Sequence, residues 1–169
     1  MVLLLKKKEN INSNKKAYME FYKKHKHCIN NQKIGFNEQI NLLNNDCCIV
    51  IMDFKQNFKI GGGPIETSRD FYNKKFISCF GVCLITKEND KIKRRYFNIL
   101  SEILTHDSLF VKDCIEMIVK EILKNRFKQV SFWADNGKHF RSSELMKYFY
   151  DLAQKHFDFV SMNFFVEYL

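Results

Sequence analysis

The sequence predicts an α/β domain: a mixed five-stranded sheet in the order β-β-β-α-β-α-β, with helices packed on it and a helical extension ahead of it. Three observations lead there. Two long apolar runs rich in β-branched and aromatic residues, CCIVIMDF (47–54) and FISCFGVCLIT (76–86), suit strands buried on both faces. The polar KENDK (87–91) forms a hairpin turn into KIKRRYFNIL, a strand of more exposed type. From there helical and strand patterns alternate to Leu169, which implies a mixed sheet covered by helices.

Each element has its own signal. Residues 15–31 place Tyr18, Phe21, Tyr22, His25, Cys28 and Ile29 at helical spacing, with a basic outer face. A shorter segment with Phe36, Ile40 and Leu43 on one side comes next and is broken by Asn44-Asn45-Asp46. GGGP at 61–64 reads as a turn. Residues 109–124 carry Val111, Cys114, Ile115, Ile118, Val119 and Ile122 on one helical face, with Asp107 as the expected cap and Ser108 its rival. KQVSFWA (128–134) is the fourth strand, with Trp133 filling core. Ser142 or Ser143 caps the next helix, Glu144 favours its first turn, and Leu145, Phe149, Leu152 and Ala153 line its core face. Residues 157–169 form the fifth strand. The domain reading is a basic helical extension over 1–46 and a core over 47–169.

Composition narrows the function. One Pro and a 46% apolar content describe a packed globular chain, not a disordered one. The six Cys include no C-x-x-C pair and lie mostly in apolar runs, as reduced core residues of an intracellular protein do. The apolar start of MVLLLKKK is too short for a signal peptide, and no run approaches a membrane span of about 20 residues. Net charge is +9, of which +5 falls in residues 1–46. A polyanion partner explains such an excess, and so does a solvated helix face.

The chemistry centres on Asp53 and Asp135, each directly after an apolar strand run. If the first and fourth strands are neighbours, both carboxylates enter one crevice at the strand tips. Two readings are open there. Asp and Asn-Gly make good turns. Alternatively, the paired carboxylates hold a hard divalent cation, Mg2+ or Mn2+, which relieves their repulsion and takes phosphate oxygens. His139 could touch a phosphate or a metal-bound water, and Lys138 and Arg141 are sensible phosphate contacts. Other motifs drop out. DFKQN lacks the second acid of a D-x-D signature and the hydroxyls of D-x-S-x-S. GGGPIET lacks the Lys-Ser or Lys-Thr of a P-loop. HKHC (25–28) has no second cluster to complete a zinc site.

The order of elements, with acids ending strands one and four, resembles the ribonuclease H-like fold. IVIMDFKQNF and VSFWADNGKHFRSSEL resemble the first two acid motifs of DDE-type transposase and integrase cores, and NFFVEY resembles their fifth strand. The resemblance spans roughly residues 47–169. It implies Mg2+-dependent phosphoryl transfer on DNA, with Asp53 and Asp135 as the first two metal ligands. The family's third acid lies on a helix after the fifth strand, and this chain ends before one. Glu167 is the only late acid, and Glu116 or Asp113 could mimic the helix acid of ribonuclease H. The resemblance thus implies a transposase-derived DNA-processing domain, degenerate or inactive alone, that binds DNA through Lys15, Lys16, Lys23, Lys24, Lys138 and Arg141. An active nuclease using Glu116 or Glu167 is one alternative; a non-enzymatic nucleic-acid-binding or interaction module is another. The expected setting is intracellular and nuclear, without a membrane. An incomplete sheet edge exposes Phe159, Phe164 or Phe165 to a homo-oligomeric partner or a missing C-terminal segment.

Overall fold

A computed structural model describes residues 2–60 and 75–166, with side chains from residue 15 onward. The chain divides into two units, Met1–Asn41 and Leu42–Leu169.

The first unit is one helix, α1 (Val2–Asn41). The sequence signals suggest a helix and then a separate shorter segment. The chain instead runs straight through Gly35, whose missing side chain lowers helix propensity by about 1 kcal/mol without breaking a helix this long. Tyr18, Phe21 and Tyr22 are exposed along it, as are Lys15, Lys16, Lys23 and Lys24. No described helix is long and apolar enough to cross a membrane.

The second unit is α/β and is built on a five-stranded mixed sheet. Its elements are β1 (Cys47–Ile60), β2 (Lys75–Glu88), β3 (Lys91–Ser101), α2 (Ser108–Ile118), β4 (Gln129–Ala134), α3 (Ser143–Lys155) and β5 (Phe159–Phe164). The sheet order is β3-β2-β1-β4-β5. β1 runs antiparallel to β2 and parallel to β4, and β4 runs parallel to β5. The β2–β3 hairpin turns on Asn89 and Asp90, both with positive φ (50° and 58°), a conformation Asn and Asp adopt more readily than most residues. β1 reaches Ile60, six residues past the expected end, because after Asp53 it keeps β2 as a partner through a register shift between Lys55 and Phe58. β5 covers only Phe159–Phe164, shorter than expected at both ends, and Phe165 adds one more main-chain bond to Ala134. The GGGP turn and Glu167 fall outside the described residues.

One face of the sheet is the main core. Cys48, Val50 and Met52 of β1, Phe80, Val82 and Leu84 of β2, and Val130, Phe132 and Ala134 of β4 meet α2 and α3 through Val111, Ile115, Leu145 and Phe149. Alternation along each strand sends the intervening residues to the opposite face. Trp133 is buried on that opposite face, against Phe165, with ring centroids 4.9 Å apart. Phe159 is exposed, while Phe164 packs against the main core, so only part of the expected uncovered edge is present.

Helix ends obey local chemistry. Asp107, not Ser108, caps α2, its carboxylate accepting from Phe110 N–H at 2.8 Å; Ser142 caps α3 through Leu145 N–H at 3.1 Å. After Ile118 the chain widens into a π-helical turn (Val119–Leu123), closed by Lys124 N–H donating to Val119 C=O at 2.8 Å. Val119 and Leu123 are both buried in this turn.

Glu88 ends β2 amid three cations: Lys93 at 2.8 Å and Arg95 and Arg126, each at 2.7 Å. Hydrogen bonds from Lys93 and then Arg95 lower its pKa to about 2. A depressed folded-state pKa gives stability that is present above the unfolded value of about 4.3 and lost as pH falls toward 2. In urea titrations, the stability gap between wild type and Glu88→Gln is therefore expected to be constant above pH 5 and to close on acidification through that window. Phe80→Ala, which empties a fully buried position, is expected to cost about 3–5 kcal/mol in the same assay.

Candidate functional site

The site arises from where β4 stops. The parallel β1–β4 ladder ends at Met52↔Ala134, so the next residue on each strand is an Asp. Adjacent strands lie about 4.8 Å apart, and the sheet thus sets Asp53 and Asp135 side by side. Asp53 is open to solvent, yet its carboxyl pKa is raised, first by partial burial and then by the Asp135 carboxylate. The Phe54 N–H, His139 and Lys55 offset part of that shift.

Phe54 organises the surroundings. It points to the core face and meets His106 in a stacked contact (4.1 Å), His139 edge-on (5.1 Å), Phe110 (5.9 Å) and Phe140 (6.1 Å). One aromatic ring therefore ties together the middle of β1, the segment before α2 and the segment after β4. His106 is held from its other side by Asn57, Nε2 to Oδ1 at 3.1 Å.

The segment after β4 turns sharply. Asp135 Oδ1 accepts from Gly137 N–H at 2.9 Å, and a 3-10 turn over Lys138–Phe140 then brings His139 back toward the acid. His139 Nε2 lies 4.0 Å from Asp135 Oδ1, beyond hydrogen-bonding distance, and is buried without a hydrogen-bond partner. Burial lowers the His139 pKa, opposed by Asp135. Gly137 is needed for space: a Cβ there would lie 2.7 Å from His139 Cε1 and 2.8 Å from Asp135 Oδ1.

On the solvent side of Asp53 the sheet opens into a pocket of about 150 Å3, floored by Gly81 and bordered by Lys55, Tyr96 and Asn98. Lys55 Nζ donates to Asn98 Oδ1 at 2.9 Å. Sequence patterns give no sign of these neighbours: they lie 28 to 45 residues from Asp53 apart from Lys55, and only strand register brings them together.

The predicted residues separate into groups. Asp53, Asp135 and His139 come together, and Lys138 and Arg141 are exposed within the same turn. Glu116 does not join them. It is exposed on α2 in a groove of about 320 Å3 with Tyr148 and Asp151, and Asp113 is likewise on α2, while Val111, Cys114 and Ile115 take the core side. Tyr148 is pushed up to about 12 there by burial and then by Glu116. Lys15, Lys16, Lys23 and Lys24 belong to the other unit. Among the described residues no group of three or more His, Cys, Asp or Glu gathers as a metal-binding cluster.

Asp53, within β1, and Asp135, just past β4, are two neighbouring carboxylates, the donor type a hard divalent ion takes. Gly137→Ala is expected to expel the His139 ring from its shelter, raising its pKa toward the ordinary 6.5 or so. An NMR pH titration of the imidazole protons checks this.

Comparison with known proteins gives one finding. The family described as Domain of unknown function (DUF8701) matches residues 32–167. No curated protein matches the chain.

Proposed function

The chain belongs to the DUF8701 family, and from that premise, which carries no activity with it, we propose that its second unit is a ribonuclease H-like core of transposase type. In this reading Asp53 and Asp135 hold Mg2+ or Mn2+ against a nucleic-acid phosphate. The observation that carries it is the parallel β1–β4 pairing within the order β3-β2-β1-β4-β5, whose shared ladder ends at Met52↔Ala134 with an acid as the next residue of each segment. The pKa of Asp53 is raised first by partial burial and then by the Asp135 carboxylate, and that second cause supports the reading, since like charges held together favour either a proton or a metal ion. When bound, a divalent ion supplies positive charge to phosphate oxygens.

The remaining roles belong to the chain itself. In this reading Lys138 and Arg141, exposed after Asp135, take flanking phosphates as charged donors. Phe54 and Gly137 fix the height of His139, whose buried Nε2 is offered toward Asp135. The helix lysines Lys15, Lys16, Lys23 and Lys24 give a separate, sequence-independent affinity for DNA.

Two ligands hold an ion less tightly than three, so binding of metal and nucleic acid is the primary activity in this reading, with cleavage weak or absent. A purely non-enzymatic binding module is the second reading. It is favoured by the position of Glu116 in a groove away from the pair.

The test is a Mg2+ and Mn2+ titration followed by amide shifts. Shifts centred on Asp53 and Asp135 at millimolar metal, weakened about tenfold or more in Asp135→Asn, are expected. The affinity is expected to fall on acidification, because protons compete for the raised Asp53 carboxylate. A titration that leaves these amides unmoved would overturn the metal reading. Plasmid nicking that Asp135→Asn abolishes would instead establish an active nuclease.

A further inference from the structure

We infer that the exposed part of the β1–β2–β3 face around Tyr96, next to the buried Ile49 and Ile85, is a platform for single-stranded nucleic acid, with Tyr96 stacking a base and Arg94 and Lys55 meeting phosphates. The inference deepens the proposed function and rests on it for one point, that the strand so held passes Asp53.

Register builds the platform. Ile51 pairs with Cys83 and Cys83 with Tyr96; Asp53 pairs with Gly81 and Gly81 with Asn98; Ile85 pairs with Arg94. Paired residues project from the same side of a sheet, so Arg94, Tyr96, Asn98, Asp53 and Lys55 share one face. All five are exposed.

Each part has a chemical use. Tyr96 is 72% exposed, the largest exposed surface among the aromatic residues of the sheet. A lone exposed aromatic is ordinary, but this one stands between Arg94 and Asn98 on the same strand and lines the pocket beside Asp53 and Lys55. Gly81 leaves a gap between Asn98 and Asp53, where any larger side chain would press on Lys55. Lys55 and Arg94 flank the gap and the ring with positive charge. Asn98, its Oδ1 turned to Lys55, has an amide nitrogen to give to a base edge or a phosphate. An exposed ring with cations beside it suits unstacked bases, which a duplex does not present.

The experiment measures fluorescence anisotropy of labelled single-stranded DNA, single-stranded RNA and duplex DNA with the full chain in EDTA. Single strands are expected to bind more tightly than the duplex, and the DNA and RNA arms show which sugar is taken. Tyr96→Ala is expected to weaken single-strand binding about tenfold, and Tyr96→Phe to keep it, since stacking needs only the ring. Lys55→Gln and Arg94→Gln are each expected to reduce the salt slope by about 0.7. Tyr96 is surface-exposed, and circular dichroism of the variants verifies the fold. Wild-type affinity in Tyr96→Ala, or preference for the duplex, overturns the inference. The same proteins are then titrated with Mg2+. Tyr96-dependent binding without metal-induced shifts at Asp53 and Asp135 defeats the metal reading and leaves the platform standing. The converse result defeats the platform alone.

Discussion

The parallel hydrogen-bond ladder between β1 and β4 is the constraint on which the rest depends. It joins segments 82 residues apart, from Cys47↔Gln129 to Met52↔Ala134, and its end fixes where two acids meet. Parallel pairing needs a crossover, here the β2–β3 hairpin and α2, and it needs both faces shielded near its centre. Val50, Met52, Phe132 and Ala134 satisfy the second need on one side, and Ile49 and Trp133 on the other. The apolar character of the two runs, the length of chain between them and the acids at their tips are thus one requirement seen three ways.

Much of this is readable from residues alone, for a physical reason. Runs such as CCIVIM and VSFWA are apolar without alternation because they are covered on both faces, and that pattern survives without knowledge of the partner strand. The acids stand out because each breaks such a run. The Asp107 and Ser142 caps are legible because capping is local. The single long α1 is not, since Gly35 and the Asn-rich stretch around it weaken propensity without revealing whether the helix stops.

The surroundings of the acids are the least legible part. Gly81 and Asn98 join Asp53 through pairing register, and a shift of one residue would send them to the opposite face. Phe54 looks like the last residue of a strand, and its role as the contact of His106, His139 and Phe140 exists only when three distant segments close on it. Glu116 is visible as an acid on a helix, but its direction depends on which helical face meets the sheet. Val111, Cys114 and Ile115 take that face, leaving the carboxylate on the far side.

The π-helical turn at Val119–Leu123 has a consequence for how this lineage can vary in length. Such a turn accommodates one extra residue inside a helix, with the bond from Lys124 to Val119 spanning five positions where an α-helix spans four. Val119 and Leu123, its first and last residues, both remain buried, so the surplus is absorbed locally before the chain enters β4. Relatives that lack one residue here can close an ordinary α-helix over the same sheet. The number of residues between the two acids can then differ by one among family members while both acids still follow the end of the β1–β4 ladder.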